Sequence, residues 1–174
     1  MKICLFGAGS KNINQDYIDV GYHLGEQIAK NNHSLVFGGG NDGMMGSVAR
    51  GVYDNNGRII GIMPEWMEEF EELYDNCDEI IYTNSMDDRK LKFIEVSDVF
   101  IIAPGGIGTL DEFFEVITLK KLKKHDKPII ILNVNHFFDI MLNMLNTMVE
   151  ERFIDDEILF TVADNVEDAV ELFN

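Results

Sequence analysis

The sequence predicts an α/β fold in which a parallel sheet carries helices on both faces. Three observations lead there. Short apolar runs such as Ile3-Cys4-Leu5-Phe6 and Val99-Phe100-Ile101-Ile102-Ala103 read as buried strands. Such runs alternate with segments of helical apolar spacing from one end of the chain to the other. Several strand-to-helix turns are rich in glycine, so a ligand crevice is expected at the carboxyl ends of the strands.

Residues 2–6 make the first strand. Gly7-Ala8-Gly9-Ser10 is a turn in which Ser10 can bond a phosphate or cap a helix. The helix over 15–30 has its apolar positions at Ile18, Leu24, Ile28 and Ala29. Ser34-Leu35-Val36-Phe37 is the second strand and runs into Gly38-Gly39-Gly40-Asn41-Asp42-Gly43-Met44-Met45-Gly46, with a helix continuing to about Asp54. Gly39 and Gly40 are candidate ligand contacts here. The third strand, 58–63, is ended by Pro64. The acidic stretch 65–76 is expected to be a solvated face. Within it, Trp66 and Phe70 at i and i+4 suit a pocket wall, but core packing is the expectation. A fourth strand covers 79–82, a helix 86–97 and a fifth strand 99–103. A glycine turn then opens a helix that carries Phe113 to Leu119. The basic run 120–125 falls near the end of that helix, where the dipole favours cations. A sixth strand (128–132), a helix (137–150), a last strand (159–162) and a last helix (166–173) complete a single domain spanning 1–174.

The net charge of −17 argues against nucleic acid as a partner, since a phosphate backbone demands a basic surface. A small anion is still admissible, because a local site can be positive on an acidic protein. The two cysteines, Cys4 and Cys77, form no C-x-x-C pair, and no Cys/His cluster has metal-ligand spacing, so no metal is expected. The N-terminus turns glycine-rich too early for a signal peptide. No apolar run reaches the roughly 18 residues of a membrane helix. The expectation is a reduced, cytoplasmic setting away from membranes.

The stretch that organises the chain is Pro104-Gly105-Gly106-Ile107-Gly108-Thr109-Leu110-Asp111-Glu112. Gly105, Gly106 and Gly108 let the backbone approach a ligand, and the unpaired N–H groups of the following helix favour an anion. Thr109 adds a hydroxyl donor. Glu112, about one turn in, can face the same cleft, so a phosphate seat has a carboxylate beside it. The spacing is neither a Walker A loop nor G-x-G-x-x-G, which disfavours a nicotinamide dehydrogenase. Met86-Asp87-Asp88-Arg89-Lys90 places two cations at the start of a helix that, from the same sheet edge, would aim at the glycine loops.

Together these segments resemble a known family. Pro104-Gly105-Gly106-x-Gly108-Thr109-x-x-Glu112 looks like the PGGxGTxxE signature of the LOG ("Lonely Guy") family of cytokinin-activating phosphoribohydrolases, long mislabelled as lysine decarboxylases. Gly38 to Gly46 is similar to its GGGxxGLMG segment, Met86-x-x-Arg89-Lys90 to its MHxRK motif, and Gly7 to Ser10 to its first turn. His125-x-Lys127-Pro128 and Leu132-Asn133-Val134 also follow the family. The resemblance implies a Rossmann-like three-layer sandwich, a homodimer or higher homo-oligomer, and no cofactor. It implies hydrolysis of a nucleoside 5′-monophosphate, as cytokinin ribotide or AMP, to free base and ribose 5-phosphate. Arg89 and Glu112 match the family's catalytic pair. Glu71, Met86, Lys90, Gly105, Gly106, Gly108, Thr109 and Thr118 match, with Ser10, Gly39 and Gly40, the stretches expected to hold the nucleotide. Asp87 departs from the family's His, Ile107 from an aromatic and Asp111 from Glu. For a prenyl tunnel the candidates are Met44, Met45, Met86 and Trp66.

Two other classes remain at this point. A non-catalytic nucleotide-binding or sensing protein could use the same fold, because a fold does not prove turnover. A lysine decarboxylase would need pyridoxal phosphate and a Schiff-base lysine, and none of the 14 Lys and Arg residues stands in a recognisable cofactor motif.

Overall fold

The computed structural model describes residues 1–70, 72–155 and 159–173. The described strands form one parallel sheet in the order β4-β3-β2-β1-β5-β6-β7. They are β1 (Lys2–Phe6), β2 (Ser34–Phe37), β3 (Arg58–Pro64), β4 (Glu79–Thr83), β5 (Val99–Ile102), β6 (Ile129–Leu132) and β7 (Thr161–Ala163). The helices are α1 (Gln15–Lys30), α2 (Gly43–Asp54), α3 (Met86–Val96), α4 (Ile107–Lys121), α5 (Asp139–Glu150) and α6 (Val166–Glu171). The register aligns Ile3 with Leu35 on one side and with Val99 on the other. The chain therefore winds one way from β1 to β4, crosses back, and winds the other way from β5. The reversal lies between β1 and β5, where such sheets open a crevice at their carboxyl edge.

Strand pleating divides the core in two. Ile3, Leu5, Leu35, Phe37, Val99 and Ile101 face one way, onto α1, α2 and α6. Cys4, Phe6, Val36, Phe100 and Ile102 face the other, onto α3, α4 and α5, where Phe93, Phe113 and Leu145 meet them. The doubly wound, three-layer expectation therefore holds. On the first face α1 and α2 touch backbone to backbone. A Cβ on Gly25 would overlap the Val48 carbonyl, and one on Gly51 the Tyr22 carbonyl. Side chains at these positions would prise the helices apart.

Several boundaries differ from expectation for local reasons. The helix expected over 137–150 starts at Asp139, because Asn135 and His136 have φ of 54° and 57° and break the preceding 3-10 turn, Val134–His136. Asn133 orders that turn: its Oδ1 accepts from the Phe138 N–H at 2.7 Å and its Nδ2 donates to Asp139 at 2.8 Å. The last strand lies two residues later than expected, at Thr161–Ala163. Core packing of Trp66 and Phe70 is also overturned. Trp66 lies within a 3-10 turn, Glu65–Glu69, and Phe70 directly follows it; the turn's buried anchor is Met67, and the two aromatics stand 46% and 76% exposed.

The last helix is clasped to the first by one imidazole. His23 of α1 contacts Glu167 of α6 through Nε2 at 2.8 Å and Glu26 through Nδ1 at 3.1 Å. The Glu167 hydrogen bond holds this histidine above its ordinary value of 6.5, against partial burial, with Glu26 adding to the rise. Lys30 and His23 lower Glu26, and His23 lowers Glu167, from the ordinary 4.5. A raised histidine stabilises fully below 6.5 and loses that contribution as pH climbs through its folded value. Lowered carboxylates act fully above 4.5 and fail as pH falls through theirs. The clasp is thus complete between those limits. Urea midpoints should fall from about pH 5.5 to about pH 8.5. The fall should be smaller in His23→Gln, and an equal fall in both proteins would exclude the clasp as its source.

Candidate active site

Three loops meet at the carboxyl edge of β2, β1 and β5, and the backbone of one residue ties them. The Ala8 N–H donates to the Pro104 carbonyl at 3.0 Å, while the Ala8 carbonyl accepts from the Met45 N–H at 3.1 Å. Glycine makes both approaches possible. Gly43, at φ 61°, leaves no Cβ against the Ala8 and Ser10 carbonyls, and a Cβ on Gly105 would collide with the Thr109 hydroxyl and come within 3.0 Å of the Ala8 nitrogen. The N-terminus of α2 is consequently occupied by the first loop rather than open to an anion.

The N-terminus of α4 is built differently. Its cap is Gly106, which offers no side-chain hydrogen bond, and the helix begins at Ile107 inside the glycine motif. Sites for a Cβ on Gly106 and Gly108 meet nothing within 4 Å, so both face open space. The first N–H groups of a helix lack intrahelical partners and carry the positive end of its dipole. The N-terminus of α4 is thus uncovered at these positions. Thr109 is 4% exposed, its hydroxyl packed against Gly105. Glu112 is half-buried, one turn further along the same helix.

Arg89 reaches this edge from α3. It is 6% exposed. Its Nε donates to the Ile62 carbonyl at 2.9 Å and Nη2 to the Gly38 carbonyl at 3.2 Å. Nη1 lies 3.9 Å from the Met86 sulfur, and the guanidinium sits 5.4 Å from the Phe93 ring centroid. Two carbonyls leave part of its five-donor capacity for a ligand. Arg89 and Glu112 stand on α3 and α4, which pack on the same face of the sheet as the buried Cys4 thiol. Burial pushes that thiol well up and the Glu112 carboxylate adds to the rise, while Arg89 and Lys127 oppose it.

Lys90 is committed elsewhere. Its ammonium lies 3.4 Å from Asp111 and 3.5 Å from Glu115 on α4, and 4.0 Å from Asp87. Burial opposes its charge, but the Glu115 and Asp111 carboxylates outweigh this and hold it above the usual lysine range. It clamps α3 to α4.

Other expected contacts scatter. Gly39, with φ of 85°, and Gly40 are buried at the end of β2, where Gly40 bridges to Leu73. Ser10 is exposed and accepts from the Asn12 N–H at 3.3 Å. Met86 opens α3 beside Arg89. Thr118 lies nine residues beyond Thr109 on α4, roughly 14 Å along its axis, and lines a separate cavity between α4 and α5. Glu71 lies outside the described residues. Of the residues proposed for a prenyl tunnel, Met44 is core and Met45 faces a pocket. The basic run is structural: Lys120 and Lys121 close α4, and the His125 imidazole meets the Val116 carbonyl at 2.8 Å, with burial pushing its pKa down.

Sequence reasoning overlooked one pocket. A cavity of about 230 Å3 lies between the first two loops and the segment after β3. Its walls include Lys11, Asp42, Met45, Phe70 and Glu72. Lys11 bridges Asp42 at 3.3 Å and Glu72 at 3.4 Å, and the Asp42 hydrogen bond, followed by Glu72, holds it above the usual lysine range. The available signal was a lysine directly after a glycine turn in so acidic a chain. Among the described residues no group of three or more His, Cys, Asp or Glu is arranged to hold a metal, and no helix is long and apolar enough to cross a membrane.

Comparison with known proteins bears on this arrangement. Residues 45–173 match the family model described as "Possible lysine decarboxylase". That stretch holds Arg89, Glu112 and the α4 glycine turn. The chain belongs to this family. Among its curated relatives is the cytokinin riboside 5′-monophosphate phosphoribohydrolase LOG3 of Arabidopsis thaliana. It is 38% identical over 153 residues, covering 88% of this chain and 71% of the relative. The phosphoribohydrolase LOG of Oryza sativa subsp. japonica is 35% identical over 156 residues, 90% of this chain and 64% of the relative. The fold recurs in solved structures. The molybdenum cofactor binding protein of Rippkaea orientalis superposes with a TM-score of 0.74 at 26% identity, covering 99% of this chain and 94% of that one. The molybdenum cofactor carrier protein of Chlamydomonas reinhardtii gives 0.72 at 22%, with the same coverage.

The burial of Arg89 changes what its removal does. Arg89→Ala leaves the Ile62 and Gly38 carbonyls without their donors inside the protein. It should therefore lower the unfolding free energy by about 1–3 kcal/mol, measured by urea denaturation. Unchanged stability would show that water replaces the guanidinium without loss.

Proposed function

We propose that this chain is a phosphoribohydrolase that cleaves the N-glycosidic bond of a nucleoside 5′-monophosphate with an adenine-type base, releasing free base and ribose 5-phosphate. The observation that carries this reading is the uncovered N-terminus of α4 one turn before Glu112. The phosphate sits on the N–H groups from Gly106 onward and fixes the nucleotide. Remote binding energy then positions the scissile bond. As that bond lengthens, positive charge develops on the ribose ring, as in glycoside cleavage. The Glu112 carboxylate stabilises that charge and takes a proton from the attacking water, whose oxygen bonds to the ribose carbon. The departing base keeps the electron pair of the broken bond and takes up a proton from solvent. Arg89, held in place by two strand-end carbonyls, donates to the ribose hydroxyls or the departing base. Lys90 holds α3 and α4 at the spacing this requires. The curated relatives, named as phosphoribohydrolases, support the same chemistry.

The working unit in this reading is a homo-oligomer. Ile107 on α4 and Ile140 on α5 stand 87% and 85% exposed. Between these helices lies an apolar cavity of about 470 Å3 lined by Phe114, Ile117, Leu145 and Met148 among others. A second copy of the chain covering this face accounts for so much exposed apolar surface. Free Cys4 and Cys77 support a reducing, cytoplasmic compartment.

Purified protein supplied with AMP, other nucleoside monophosphates and an N6-prenylated adenosine monophosphate should release base and ribose 5-phosphate, read by mass spectrometry. Glu112→Ala should lower kcat by about 10²–10⁴. Near-wild-type turnover in that variant would remove Glu112 from the chemistry. Tight nucleotide binding without release would identify a binding protein instead. Light scattering should give at least twice the mass of one chain, and a monomer would refute the oligomer.

A further inference from the structure

The cavity between the first two loops and the segment after β3 has the features of a nucleobase subsite rather than of a second phosphate seat. Phe70, 76% exposed, forms one wall. Trp66 backs it edge to face, with ring centroids 5.9 Å apart. Exposed aromatics of this size are costly to leave in water unless something covers them, and a planar ring suits stacking. The platform is not a loose tip. Met67 beside it is buried, and Tyr82 of β4 donates to Glu68 at 2.5 Å. Beyond Phe70 the chain is stapled to the second glycine loop: the Asn41 N–H donates to the Glu72 carbonyl and the Tyr74 N–H to the Gly39 carbonyl, both at 2.9 Å.

The charges point the same way. One ammonium, Lys11, stands between two carboxylates, Asp42 and Glu72, so the pocket carries excess negative charge and spare acceptor oxygens. A phosphate is disfavoured there. A neutral ring bearing an exocyclic amine is favoured, because the amine donates to carboxylate oxygens. The location fits the other end of a nucleotide whose phosphate is on α4. Gly9 lines the pocket, and its neighbour Ala8 bonds Pro104 at the entrance to the α4 turn. Met45, on the pocket wall, packs against Gly38, which Arg89 also contacts.

We infer that Phe70, backed by Trp66, stacks on the base of the substrate, and that Asp42 and Glu72 select an amino-purine over an oxo-purine. This rests on the phosphoribohydrolase reading. It adds a specificity-determining aromatic and a carboxylate pair that reads the base edge.

Trp66 is the only tryptophan in the chain, so its emission reports ligand arrival at this pocket without any turnover. Titrating the full-length Glu112→Ala protein with AMP should change that emission saturably. Phe70→Ala should weaken binding about tenfold, within the range for loss of one base–aromatic stack, and Phe70→Tyr should restore it. IMP should bind more weakly than AMP, and Asp42→Asn should narrow that gap. Calorimetric AMP binding with unmoved Trp66 emission, or with equal affinity in Phe70→Ala, would overturn the stacking role. Equal affinity for AMP and IMP would overturn the selection by carboxylates. A wild-type protein that neither binds nor cleaves any nucleotide would instead fell the hydrolase reading, and this subsite with it.

Discussion

The site depends on the two backbone hydrogen bonds of Ala8. Its N–H holds Pro104 at the end of β5, and its carbonyl holds the first turn of α2. Three loops from three strands are thereby locked to one point. The sequence requirement is severe but local: residues without side chains at Gly43 and Gly105, where any Cβ would collide. The same contact decides which helix can receive an anion. Seating the first loop on α2 covers that N-terminus. The α4 N-terminus, capped only by Gly106, stays open. Two glycine turns that look alike in sequence therefore do opposite work.

The cations of the site are already matched before any ligand arrives. Lys90 faces Asp111 and Glu115, Lys11 faces Asp42 and Glu72, and Arg89 is buried against backbone carbonyls. In a chain of net charge −17, loose lysines near the crevice would be captured by whatever carboxylate came closest. In the proposed reading, attraction for a phosphate comes first from backbone N–H groups and the α4 dipole, whose direction no side chain can reverse.

Most of the architecture was legible because its signals are local. Apolar runs such as Val99 to Ile102 admit few alternatives to a buried strand, and glycine turns marked the ligand edge. The central motif, Arg89 and Glu112 could be assigned to one sheet edge from their spacing and the family resemblance, but the burial of Arg89 could not. Other features were not, because they are tertiary. Nothing near Lys90 in sequence announces Asp111 and Glu115 as its partners. Trp66 and Phe70, four residues apart, mimic a helix face. The segment is instead a short 3-10 turn that ends before Phe70, with Met67 buried and both aromatics outside. Thr118 shares the motif's helix with Thr109, yet nine residues of rise carry it away to another cavity. The helix start at 139 hinged on positive φ at Asn135 and His136, which composition does not encode.

The order of the strands has a consequence for how the protein assembles. From β1 through β3, each strand pairs with its successor in the chain, and the close fit of Gly25 and Gly51 welds the two intervening helices. These contacts close short loops, so their entropic cost is small. The pairing of Ile3 with Val99 is different, because more than half the chain lies between them. Forming it closes a longer loop. The crevice between β1 and β5 is the seam where the two halves of the sheet meet. The pocket with Phe70 belongs to the first half, and α4 with its open N-terminus to the second. Opening this seam would part the Phe70 pocket from the α4 N-terminus while leaving the strand pairings within each half in place.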